Sequence, residues 1–159
     1  MTLSSPPSTM NQHLIRRATA SDASHIALLL TQLGYPASQD EAAERIAYMA
    51  TPLNALFVAC TAQNDTPLGL VGIHLLPMLH CSALLGKITG LVVDASARGQ
   101  GVGSALMQAA VDFATEHQAP RIEIISGNHR PEAHAFYRKL GCVATEQTKF
   151  NLLTPVHST

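Results

Sequence analysis

The sequence predicts one domain of mixed α and β structure (α+β or α/β), and three observations carry the prediction. Short compact apolar runs, such as residues 56–60, alternate with three-and-four spacing, such as Ala23, Ile26, Leu29, Leu30 and Leu33. Glycine and proline punctuate the boundaries between them. A chain of 159 residues buries a core without disulfides or metal clips.

Residues 1–11, with Ser4, Ser5, Pro6, Pro7 and Ser8, have little to bury and are expected to be a disordered tail. The domain is expected over 12–153, with a short C-terminal tail at 154–159. Residues 13–17 read as a first strand, and Thr19 or Ser21 is placed to cap the helix that follows. Gly34 and Pro36 stop that helix. A second begins near Ser38, with Ala43, Ile46, Ala47 and Ala50 expected inward and Glu41, Glu44 and Arg45 outward, until Pro52. Residues 56–60 and 68–75, separated by the turn-rich 63–67, read as a hairpin. Residues 87–93 offer a further strand. A glycine-rich turn leads from it into Val102, Ala105, Leu106, Ala109, Ala110 and Phe113 at helical spacing, lasting to about His117. Residues 121–125 are again strand-like. Pro131 suits a first helical turn, Ala133, Phe136, Tyr137 and Leu140 form a stripe, and Gly141 is the stop. Residues 143–145 and 148–153 are expected to complete the sheet.

Composition excludes several functions. Lys plus Arg number 10 against 11 Asp plus Glu, so no broad field attracts nucleic acid. The most apolar stretch, 68–85, is broken by Gly69, Gly72, His74, Pro77, His80 and Ser82, which argues against a membrane span. The three cysteines show no CxxC spacing and nothing resembles a secretion signal, so a reducing, cytoplasmic setting is expected. The eight histidines carry no HExxH or paired Cys/His pattern, so no metal is expected.

The most informative unit is the turn Arg98-Gly99-Gln100-Gly101-Val102-Gly103, followed by Ser104. Its glycines remove side chains where a phosphate must approach the backbone, and the next helix start points amides and a dipole at that place. Arg98 adds a charge-assisted donor. A tight strand-to-helix connection would use the same letters. A P-loop fails because Ser104 and Ala105 stand where Lys and Ser/Thr are required. The dinucleotide fingerprint fails for want of a glycine at 104 and of a preceding βαβ unit.

Leu91-Val92-Val93-Asp94 followed by Arg98, Gly101 and Gly103 resembles the central motif of the GCN5-related N-acetyltransferase (GNAT) family. The downstream block Ala133, Phe136, Tyr137, Leu140 and Gly141 is similar to that family's helix ending in Tyr, two residues and Leu-Gly. The resemblance covers residues 12–153. It implies a central mixed, mostly antiparallel sheet, splayed at the cofactor site, with about four helices on its two faces. It implies direct transfer of the acetyl group of acetyl-CoA to a primary amine of a small molecule or peptide, and a possible homodimer.

Residue by residue, the resemblance gives Leu91, Val92 and Val93 to the pantetheine arm. The amides of Arg98, Gly99, Gln100, Gly101, Val102, Gly103 and Ser104 go to the pyrophosphate. Tyr137 becomes the general acid for the departing thiolate, a role open to a phenol; Ala133 joins the cofactor set. Arg130 stands where the family often has Asn, with Asn128 nearby, and both are carried as cofactor candidates. The family's frequent glutamate on the strand before the turn is replaced by Ile88-Thr89-Gly90. Glu123, His74, His80, His134 and water alone therefore remain open as base. The acceptor is expected near Tyr35, His74 and His80. A rival from another class is a non-catalytic acyl-CoA-binding or sensing domain that kept the turn and lost the chemistry. A dinucleotide-binding module is the third.

Overall fold

The structure, a computed structural model, describes residues 13–156. The expected N-terminal tail at 1–11 and the last three residues lie outside them. The chain forms two compact units, Met1–Ile125 and Ser126–Thr159.

The first unit contains β1 (His13–Arg17), α1 (Ala23–Leu33), α2 (Gln39–Met49), β2 (Asn54–Thr61), β3 (Pro67–Pro77), β4 (Leu84–Val93), α3 (Val102–Glu116) and β5 (Ile122–Ile124). One-turn 3-10 helices sit at Ala20–Asp22 and Ala95–Ala97. The strands form one sheet in the order β1-β2-β3-β4-β5. Every pairing is antiparallel except β4 with β5, which are parallel and joined through α3. A helical crossover is what a parallel pair requires.

Strand alternation assigns the helices to faces. Leu70 packs with Ile26, Leu29, Ala42 and Ile46, which puts α1 and α2 on one face. Its neighbour Gly69 faces the other way, toward Leu106 and Val102 of α3. A Cβ at Gly69 would lie 2.9 Å from the Val92 carbonyl, 3.0 Å from Leu106 Cδ1 and 3.2 Å from Val102 Cγ1. That carbonyl belongs to the adjoining strand and has little room to retreat. Gly69→Ala is therefore expected to cost about 1–3 kcal/mol, read as a lower urea midpoint with an unchanged slope.

The helix ends follow the sequence closely. Ser38 Oγ accepts from Glu41 N, and Glu41 Oε2 accepts from Ser38 N, a complete capping box for α2. Gly34 ends α1 in the left-handed region at φ +100°. The inward face of α2 differs from expectation: Ala42 and Ile46 are buried, whereas Ala47 and Ala50 are exposed. The helix ends at Met49, so Ala50 has left the helical period, and a methyl group at 47 is too small to decide a facing.

In the second unit, α4 (Pro131–Lys139) starts with Pro131 in its first turn. It closes at Gly141, φ +90°, with the Cys142 amide donating to the Tyr137 carbonyl. Residues 143–145 and 148–153 form no strands, contrary to expectation. The sheet of described residues ends with β5, and the alternation Thr148, Phe150, Leu152 stays outside any ladder, because alternation makes a strand only where another strand pairs with it. Val143, Phe150, Leu152 and Leu153 are exposed.

Candidate functional site

β4 has one edge partly free. β5 pairs only with Gly86, Lys87 and Ile88, while the opposite edge stays on β3 as far as Val93. Between Gly72↔Gly90 and Ile73↔Ile88 the register shifts, leaving Thr89 as the extra residue of a bulge. Leu91, Val92 and Val93 thus follow the bulge on a strand whose β5-side backbone groups have no ladder partner among the described residues.

The turn beyond β4 is pinned at three points. Gln32 of α1 donates from Nε2 to Asp94 Oδ2 (2.9 Å) and accepts from the Ala95 amide (3.0 Å). Asp94 Oδ1 accepts from the Ser96 amide and caps the 3-10 turn. His13 of β1 donates from Nε2 to the Gln100 carbonyl at 3.1 Å. Hydrogen bonds from Ser96 and then Gln32 hold the Asp94 carboxyl down at about 2, so its charge is already spent on these donors. Arg98 turns back to the Val93 carbonyl through Nε.

Gly99 and Gly101 have φ +77° and +81°, and a Cβ at either would meet nothing within 4 Å. Their necessity is backbone conformation rather than space. Gly101 is the N-cap of α3, so no cap side chain shields the first-turn amides of Val102, Gly103 and Ser104. Arg98, Gly99, Gln100 and Ser104 are exposed; the Val102 side chain is core, which leaves only its amide for a ligand. Free amides and the positive end of a 15-residue helix suit this turn to an anion.

A second feature crosses the sheet on the α1/α2 face. The register pairs Asn54 with His74, His74 with Lys87, and Lys87 with Glu123, one polar row over four strands. His74 Nδ1 lies 3.0 Å from Asn54 Oδ1 and Nε2 lies 2.8 Å from Thr89 Oγ1. Burial, and then the nearby Lys87 cation, push His74 below its ordinary value, so it is neutral at pH 7. Glu123 is engaged by Arg121 at 3.3 Å. His80 does not join the row. It lies exposed beyond the end of β3, at a shallow cavity shared with Met78, Cys81, Leu84 and Arg121. Tyr35, exposed, follows the α1 stop.

In the second unit, Asn128 and Arg130 are exposed ahead of α4, and Ala133 and Tyr137 are half-buried four residues apart on one helix face. The Tyr137 ring packs edge-on against Phe136 at 5.4 Å. Burial raises the Tyr137 phenol, with Arg130 opposing and Cys142 adding to the shift. His134 is half-buried on the same helix.

Sequence reasoning missed Gln32, His13 and Asn54. Asp94-Ala-Ser96 is a recognisable Asx turn; the partners from α1, β1 and β2 are distant in sequence and left no local signal. Among the described residues, no cluster of three His, Cys, Asp or Glu could hold a metal, and no helix is long and apolar enough to cross a membrane. All three thiols are free.

A strand with a partly free edge, a glycine turn and an open helix start together form a strand–turn–helix unit suited to an extended ligand that ends in an anionic group. Residues 13–142 match the model of the Acetyltransferase (GNAT) family, and the chain belongs to that family. It is 29% identical over 128 residues to the aminoalkylphosphonate N-acetyltransferase of Salmonella typhimurium, covering 80% of this chain and 82% of that one. It is 26% identical to an acetyltransferase of Trypanosoma brucei, with a TM-score of 0.74 over 89% of this chain and all (100%) of that one. An aminoglycoside N-acetyltransferase solved in complex with CoA shares the fold, with a TM-score of 0.78 at 18% identity over 89% of this chain and 95% of that one.

Proposed function

We infer that this chain transfers the acetyl group of acetyl-CoA directly to a primary amine of a small molecule or peptide, with Tyr137 as general acid. The observation that carries this is the open start of α3, whose amides follow two left-handed glycines at the end of the unpaired edge of β4. Those amides, with Arg98, suit a pyrophosphate. The free backbone groups of Leu91, Val92 and Val93 suit the amides of a pantetheine arm. Asn128, Arg130 and Ala133 complete the assigned cofactor set. The aminoalkylphosphonate relative favours a small amine as acceptor, and Tyr35 and His74 are assigned to its side. His80, at its separate cavity, is a weaker member of that set. Three free thiols suit a reducing cytoplasm.

Release of free thiol from acetyl-CoA, measured across aminoalkylphosphonates, polyamines, aminoglycosides and peptides, tests the reading. Release that depends on the added amine is expected. Stabilisation by acetyl-CoA with no turnover of any amine would instead support an acyl-CoA-binding or sensing domain, and ligand at about 100 times its dissociation constant raises stability by roughly 2.7 kcal/mol.

A further inference from the structure

We propose that His74 is the proton acceptor for the incoming amine, and that it works through the hydroxyl of Thr89 at the β4 bulge, with Asn54 as a positioning residue that fixes the imidazole tautomer. The proposal rests on the acetyltransferase reading above and supplies the base that reading lacks.

The polarity of the hydrogen bonds is the core of the argument. Asn54 Oδ1 only accepts, so the His74 Nδ1 at 3.0 Å carries the proton. Nε2 then holds a lone pair, and Thr89 Oγ1 at 2.8 Å donates to it. With its own proton committed to His74, the Thr89 oxygen presents lone pairs elsewhere, and Thr89 is exposed. It therefore accepts from a substrate N–H. The bulge matters because Thr89 is the residue left over between Ile73↔Ile88 and Gly72↔Gly90, and its Oγ1 lies beside Gly72, where a Cβ would approach to 3.5 Å. No side chain at 72 walls the hydroxyl off. The relay also sits where β5 stops pairing, at the start of the free edge assigned to the thioester arm.

The balance of the step is simple. An ammonium gives one proton to Thr89 Oγ1 as the hydroxyl proton passes to His74 Nε2, leaving an imidazolium. The freed nitrogen lone pair forms the C–N bond to the acetyl carbon, and the C–S bond breaks. Nitrogen loses its second proton as the amide forms, sulfur gains one, and the net proton leaves to water from His74.

The charged groups facing His74 are Lys87 across the β3–β4 ladder and Glu123 one strand further with its partner Arg121; Arg17 of β1 donates to the Asn54 carbonyl but carries its guanidinium over the Phe57 and Phe113 rings, on the α3 face. Lys87 opposes protonation of His74. Activity should accordingly rise with pH through an acidic limb that lies below the ordinary histidine value, and then level off.

The test uses the full chain. With acetyl-CoA and the fastest amine of the thiol-release series, His74→Gln is expected to lower kcat/KM about 100-fold or more and to abolish the acidic limb, while CoA affinity is unchanged. Thr89→Val should lose at least tenfold in rate, with Thr89→Ser restoring most of it. Lys87→Met should move the limb to higher pH. Independently of turnover, nitrogen-15 NMR of His74 should show the Nδ1–H tautomer. A wild-type protein that releases thiol with amine, but whose His74→Gln variant keeps its rate and pH limb, overturns the relay alone. An Nε2–H tautomer overturns it even without kinetics. No amine-dependent release from the wild type removes the acetyltransferase reading, and the relay with it.

Discussion

Tyr137→Phe is expected to reduce kcat for amine-dependent thiol release by about 100-fold or more, with CoA affinity held within about threefold. The substitution removes one oxygen and keeps the ring, so the edge-on contact with Phe136 at 5.4 Å and the helix stripe survive. What disappears is a proton. Burial keeps the Tyr137 phenol raised above its ordinary value, hence fully protonated at neutral pH. The surroundings that disfavour a phenolate also disfavour a bare thiolate, so a proton delivered as the C–S bond breaks lowers the barrier where charge develops. Arg130 pulls the other way, and its cation limits how far the phenol rises. Isothermal titration with CoA and steady-state kinetics on the same preparations decide the matter. A variant that loses affinity and rate together would make Tyr137 a binding residue rather than an acid.

How much of this was legible in the sequence depends on how local each feature is. Turn chemistry is local: the glycine turn after β4, the helix start at Ser38, Pro131 in a first helical turn and the stop at Gly141 stand where the letters place them, and the structure adds the left-handed φ of Gly99 and Gly101 and the Ser38–Glu41 capping box. The polar row is not local. His74 and Glu123 were both visible as candidate bases, but only the register of β3, β4 and β5 sets them in one line and separates His80 from them. Thr89 was read as the absence of a glutamate, because a one-residue bulge has no signature in a single strand. The apolar alternation after Gly141 predicted strands that the structure lacks; alternation describes a surface ready to pair, and pairing needs a partner.

Asp22 carries the largest expected effect on stability, and it too was hidden, as one polar letter at a helix start. Its side chain is buried, at 4% exposure for the residue. Two oxygens take both terminal nitrogens of Arg16 at 2.8 and 2.9 Å, and Oδ2 also accepts from the Thr19 amide at 2.8 Å. The bidentate pair ties β1 to the start of α1, directly under the α1/α2 face of the core. Asp22→Ala leaves the Arg16 guanidinium with the Arg17 carbonyl and, as its one charged partner among the described residues, Asp65, whose side chain is 76% exposed, and it removes the acceptor of the Thr19 amide. Breaking one half of such a pair costs about 3–5 kcal/mol. The pH dependence follows from the sign of the shift. The Arg16 hydrogen bond holds Asp22 below its unfolded value, about 3.9, so its contribution is complete above that pH and fades as pH falls through the lower folded value. Arg16, raised further by the same pair, stays charged throughout. Urea midpoints measured from pH 7 down to pH 2 should therefore converge: the wild type loses its advantage over Asp22→Ala only in the acid range. A constant gap between the two proteins across that range would mean that Asp22 acts through packing and the Thr19 bond, and that its charge contributes nothing.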